Sequence, residues 1–143
     1  MKRASTLRSL TVGLALVFGT ELSNSQETTH STGQVLMDCE HGNVKSLMAA
    51  SYFNELAAAR HLPFHAISPG TAPNSTTVPP PIVDGLRADG FDVANFQHAA
   101  ITEADVVKAE RVILINTELP SDISNRSGQL EKWTDLASAS NAD

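Results

Sequence analysis

At 143 residues, with 41% hydrophobic and 18% charged residues, the chain suits one globular domain that buries a core without disulfide or metal staples. Its 10 Lys+Arg against 16 Asp+Glu give a net charge of −6, which speaks against a nucleic-acid partner, since non-specific binding depends on phosphate neutralisation. A single cysteine excludes an intramolecular disulfide, a cysteine-rich zinc site and a redox relay between cysteines of one chain.

Residues 1–25 read as a secretory signal peptide. Lys2, Arg3 and Arg8 make a basic start, residues 10–19 (LTVGLALVFG) form an uncharged apolar run, and Glu21 ends it. That run falls well short of the roughly 20 apolar residues a membrane-spanning helix needs. Ser23 and Ser25 are the small residues before a cut at Gln26, and no cysteine stands there to take a lipid. The expectation is an exported protein, periplasmic or secreted, with no stable membrane anchor after cleavage. It is a cytoplasmic protein if the segment is retained. Residues 26–33 (QETTHSTG) are polar and turn-rich and read as a linker.

The domain is expected over residues 34–136, with 137–143 as an unstructured tail. Residues 34–38 (QVLMD) predict a buried strand and residues 39–45 (CEHGNVK) a loop. A helix follows over 46–60. Met48, Tyr52, Leu56 and Ala59 form its apolar stripe, Ala49 and Phe53 lie beside them, and Asn54, Glu55 and Arg60 fall on other faces. Pro63 stops it. Residues 64–68 (FHAIS) predict a second strand and 69–81 a proline-rich loop. A second helix fits 81–89, with prolines before it and Gly90 at its C-terminal end. Thr102 is the expected N-cap of a third helix, with Glu103 and Asp105 in its first turn. Residues 111–116 (RVILIN) are the clearest buried strand and 129–133 (QLEKW) a weaker one.

Strands separated by helices predict an α/β domain with a parallel sheet, whose ligand sits beyond the carboxyl ends of the strands. Cys39 stands there, between the first strand and the first helix. A cysteine is a nucleophile as thiolate, the form favoured by nearby cations and by a helix N-terminus. Lys45 and the helix start near Ser46 supply both. Gly42 lets the loop adopt positive φ and crowd its N–H groups, and such a ring of amides binds a tetrahedral anion. Asn43 can tie the loop by side-chain hydrogen bonds, and Ser46 can donate to the thiolate. The chemistry this arrangement predicts is nucleophilic attack on phosphorus or arsenic. The competing readings are a small buried hydrophobe at Cys39, a solvated surface lysine at Lys45 and a loop histidine without chemistry at His41. His30, His61, His65 and His98 show no metal-ligand spacing, so neither a metal nor a cofactor is expected.

The stretch resembles the phosphate loop of the low-molecular-weight protein tyrosine phosphatase superfamily, which includes the thioredoxin-type arsenate reductases. That loop is a Cys, five residues, then Arg and Ser. Here Cys39, the residues Glu40, His41, Gly42, Asn43 and Val44, then Lys45 and Ser46 match it with one substitution. The Cys-x-His start is similar to the arsenate-reductase branch. Met48-Ala49, then Ser68-Pro69-Gly70-Thr71-Ala72, residues 86–93 (LRADGFDV), residues 101–105 (ITEAD) and residues 112–116 resemble further family stretches in the family's order. The resemblance implies a four-stranded parallel sheet flanked by helices. It implies Cys39 as nucleophile through a phosphocysteine, Lys45 in place of the anion-clamping Arg, Ser46 as thiolate stabiliser and Asn43 as loop organiser. Its general acid is an Asp in a D-P pair, for which Asp135 is the nearest candidate. The substrates implied are a phosphorylated small molecule or phosphoprotein, with arsenate and an external thiol reductant as the alternative. Oxyanion binding with little turnover is the third reading.

Four departures from the family pattern matter. Lys45 is a point charge where Arg offers a planar fork. Glu40 puts a negative charge into an anion loop and is expected to point away. Asp135 is followed by Leu136 and not by Pro. Residues 137–143 (ASASNAD) do not resemble the family's last helix.

Overall fold

The computed structural model describes residues 32–74, 77–123 and 130–137. The expected signal peptide, Gln129 and most of the linker and tail lie outside the described residues. The elements run β1 (Gly33–Asp38), α1 (Lys45–Ala59), β2 (Phe64–Ile67), α2 (Pro80–Ala88), α3 (Glu103–Lys108), β3 (Ala109–Ile115) and β4 (Leu130–Trp133). All strand pairs are parallel, in the order β2-β1-β3-β4. The predicted four-stranded parallel sheet with flanking helices is therefore present.

The inner strands β1 and β3 are near-continuous apolar runs because both faces of the sheet are covered. On one face Val35, Met37, Cys39, Ile113 and Ile115 pack with Ala50 of α1. On the other, Leu36, Val112 and Leu114 pack with Ile101 and Val106 of α3. A third cluster, Leu47, Val78, Leu86 and Val93, joins α1 to α2. β4 is an edge strand, and its Trp133 sits at the rim, 37% exposed.

β1 starts one residue before the expected strand. Gly33, assigned to the linker, belongs to β1: it pairs with Phe64 and donates to Pro63 O at 2.8 Å. The apolar stripe of α1 is also corrected. Tyr52 and Leu56 are exposed (41% and 53%), and the buried face is Ser46, Leu47, Ala50 and Ala57. Small residues let the helix lie close to the sheet, so the bulkier side chains turn to its flanks. Tyr52 meets Phe91 edge-on (ring centroids 4.9 Å, 80°) and its hydroxyl donates to Asp89 beyond α2. Asn54, expected on a polar face, is half-buried and bonds Ala66 in β2 through both side-chain atoms.

Helix ends follow capping chemistry. Thr102 is the N-cap of α3, as predicted, and the structure adds a reciprocal box with Asp105. Gly90 (φ 92) closes α2 with paired bonds from Gly90 N to Arg87 O and Phe91 N to Leu86 O. α1 ends before Pro63 by the same device, with His61 in the left-handed position (φ 54) and bonds from His61 N to Ala58 O and Leu62 N to Ala57 O.

Candidate functional site

The loop between β1 and α1 lies at the carboxyl end of the sheet, where strand ends leave room for a ligand. β1 carries Cys39 to that end and α1 carries Lys45 and Ser46 back. Cys39 Sγ lies 3.0 Å from Ser46 Oγ, and both residues are buried (6% and 0% exposed). The two ends of the loop are thus joined at the sulfur. Val44 is the N-cap of α1 and contributes no side-chain cap, so the helix N-terminus opens onto the loop.

The walls of the loop are bonded on each side. Gly42 has φ 73. Asn43, 5% exposed, donates from Nδ2 to Thr77 O at 3.0 Å. His41 Nδ1 lies 3.0 Å from Ala72 O, and its Nε2 lies 3.2 Å from Asn74 Nδ2. With Nδ1–H donating to the carbonyl and Nε2 accepting from the amide, the neutral ring is fully used as a brace. Thr71 N and Ala72 N donate to the carbonyls of Cys39 and Glu40 at 3.2 and 2.7 Å. The 68–72 segment therefore lies alongside the loop as a short extension of the sheet.

A cavity of about 470 Å³ opens over the sulfur, and Cys39, Glu40, His41, Asn43, Val44 and Lys45 line one side of it. Pro79, Pro81 and Ile82 make an apolar wall, and Ile115 and Asn116 close the side toward β3. Glu40, expected to point away, is exposed and yet borders this cavity. Asp135 is exposed, has φ 62 and does not border it; Thr134 Oγ1 donates to Asp135 Oδ2 at 3.3 Å. Its neighbour Leu136 accepts at its carbonyl from Lys45 Nζ at 3.3 Å, which brings the Asp135 turn to the loop.

Two features were not anticipated from the sequence. Asn116 borders the cavity and bonds the Leu136 backbone. Asp38, next to the sulfur in sequence, is completely buried with no partner for either carboxylate oxygen among the described residues. Burial raises its pKa from 3.8 to about 7. A polar residue at the end of an apolar run was the visible signal for Asp38, and an Asn just past the β3 strand was the signal for Asn116.

A buried Cys–Ser pair spanning a loop from strand to helix, on a parallel sheet of order β2-β1-β3-β4, can be compared with solved structures. A low-molecular-weight protein tyrosine phosphatase from T. tengcongensis superposes with a TM-score of 0.60 at 19% identity, over 70% of this chain and 72% of that one. The chain has the low-molecular-weight protein tyrosine phosphatase fold. An arsenate reductase in its phosphate-binding state shares this fold with a TM-score of 0.61 at 18% identity, over 76% of this chain and 79% of that one. A thioredoxin-dependent arsenate reductase of Corynebacterium glutamicum matches at 0.56 and 18%, over 71% of this chain but only 49% of its own length. No protein-family model and no curated protein matches the chain.

Proposed function

We propose that the chain is a cysteine-dependent hydrolase of phosphate monoesters, working through a phosphocysteine. The observation that carries this reading is the Cys39 Sγ–Ser46 Oγ contact of 3.0 Å at the floor of a cavity that Lys45 also borders. Ser46 donates to the thiolate and keeps it aimed at the cavity. The loop amides and the α1 N-terminus hold the three non-bridging oxygens, and Lys45 adds the side-chain charge. Cys39 Sγ attacks phosphorus in line and the bond to the leaving oxygen breaks; Asp135, which lies outside the cavity lining but next to the Leu136 carbonyl that Lys45 binds, protonates that oxygen by turning toward it. Asp135 then takes a proton from water, which attacks phosphorus and releases phosphate and the thiolate. The apolar wall of Pro79, Pro81 and Ile82 suits an aryl or alkyl group on the ester, and a phosphorylated small molecule or phosphoprotein is the substrate class. Arsenate reduction is the second reading; two of the solved structures that share the fold are named as arsenate reductases, and with one cysteine the reaction requires an external thiol.

Hydrolysis of an aryl phosphate by the freshly reduced protein tests the proposal, with Cys39→Ser as control. Turnover absent from the control supports it. Absence of turnover in the unsubstituted protein, with arsenate reduced when a thiol is added, overturns it in favour of the second reading.

A further inference from the structure

Asn116 stands one residue past β3 in left-handed backbone (φ 51), a conformation that Asn tolerates better than other side chains. Its backbone N–H bonds Trp133 O at 2.9 Å, level with the end of β4. Its side chain then grips the Leu136 backbone on both sides of the Cα: Nδ2 donates to Leu136 O at 2.7 Å and Oδ1 accepts from Leu136 N at 3.2 Å. The same Leu136 carbonyl accepts from Lys45 Nζ at 3.3 Å. Leu136 is 45% exposed, so packing does little to hold that carbonyl. The Asn116 amide holds it.

A lysine in an anion site has a defect that an arginine does not. Its ammonium rides on a flexible stem, whereas the guanidinium fork is planar and pre-organised. Committing one of the three ammonium N–H groups to a fixed carbonyl limits the stem and leaves two for an anion. We propose that Asn116 is a positioning residue for Lys45: by clamping the Leu136 backbone it holds the carbonyl that tethers the ammonium at the cavity. This rests on the reading of the loop as an oxyanion site. The side-chain type fits the task, because an amide offers a donor and an acceptor side by side, matching the C=O and N–H of Leu136.

The test is a double-mutant cycle on inorganic phosphate binding to the full chain, measured by calorimetry. Asn116→Gly keeps the backbone freedom and removes the amide; Lys45→Met removes the charge. The expected result is phosphate binding weakened about tenfold by Asn116→Gly alone and less than about twofold when Lys45→Met is already present. Equal weakening in both backgrounds, or none in either, overturns the proposal, since a merely structural role adds in both. Should Asn116→Gly fail to fold by circular dichroism, Asn116→Asp takes its place, matching the size but losing the donor to Leu136 O. Phosphate bound without turnover of an aryl phosphate overturns the hydrolase reading while the cycle still decides the tether. A chain that binds no phosphate overturns both.

Discussion

Gly42 and Gly70 meet backbone to backbone. A Cβ on Gly42 would stand 2.8 Å from Gly70 N, and one on Gly70 would stand 2.7 Å from the carbonyl carbon of His41. Gly70 is also bonded on its far side, donating to Ala99 O and accepting from Ile101 N, both at 3.0 Å. The loop between β1 and α1 is therefore pressed against a segment that cannot retreat. Gly70→Ala is expected to push the loop out of register and cost about 1–3 kcal/mol, the usual range for overpacking. Thermal unfolding checks the cost. Phosphate binding, expected to be lost in the folded variant, checks that the damage falls on the loop.

In the proposed mechanism Lys45 takes the place of an arginine, a point charge without the planar fork. Removing a good transition-state donor costs about 3 kcal/mol in other enzymes, and Lys45→Arg adds such a donor. The expected outcome is a higher kcat/KM for an aryl phosphate, by roughly tenfold or more, since the guanidinium fork bonds two oxygens at once where the ammonium acts as a point charge. Unchanged steady-state kinetics would count against Lys45 facing the transferred phosphoryl group.

Asp38 carries a pH dependence whose sign follows from its burial. Its folded pKa of about 7 lies above the ordinary 3.8, so the folded chain holds a proton that the unfolded chain has lost. Its contribution to stability is intact below pH about 4 and falls away as pH rises to about 7, by at most roughly 4 kcal/mol. Asp38→Asn has no such proton to lose. Urea unfolding of both proteins at pH 4.5 and pH 8 is expected to show the variant gaining on the parent at the higher pH. A constant difference between them would refute the assignment.

Asn54 protects the open edge of the sheet. Its Nδ2 donates to Ala66 O at 3.0 Å and its Oδ1 accepts from Ala66 N at 2.7 Å, so the side chain occupies the place of a neighbouring strand. Asn54→Ala is expected to cost about 1–3 kcal/mol from the half-buried peptide groups left unpaired. It also uncovers a strand edge. Chemical denaturation measures the first effect, and light scattering against concentration measures association through the second.

Much of the architecture was legible as apolar runs broken by turn chemistry. The strand at RVILI, the Thr102 cap and the Gly90 stop are local signals, and each names its own element. The stripe of α1 was misread for a physical reason. Spacing marks the large apolar residues, but a helix packed closely on a sheet buries its small ones, and Ala50 and Ala57 look alike in a sequence whether they are inside or outside. His61 was missed as a helix stop because the left-handed position usually belongs to glycine.

The loop from Cys39 to Ser46 was determined by the sequence alone, because a thiol, a flexible glycine, a cation and a hydroxyl follow one another within a single strand-to-helix connection. Backbone connectivity suffices to put those groups in one place. What only the tertiary structure decided is what surrounds them. Asn116 and Leu136 reach Lys45 across long stretches of chain because parallel strands bring their carboxyl ends to one side of the sheet. Asp38 loses its water because it lies one position from Cys39 on the opposite face of β1, where a second apolar cluster closes over the sheet. Contacts of this kind depend on how the layers close, and no local pattern of residue types encodes them.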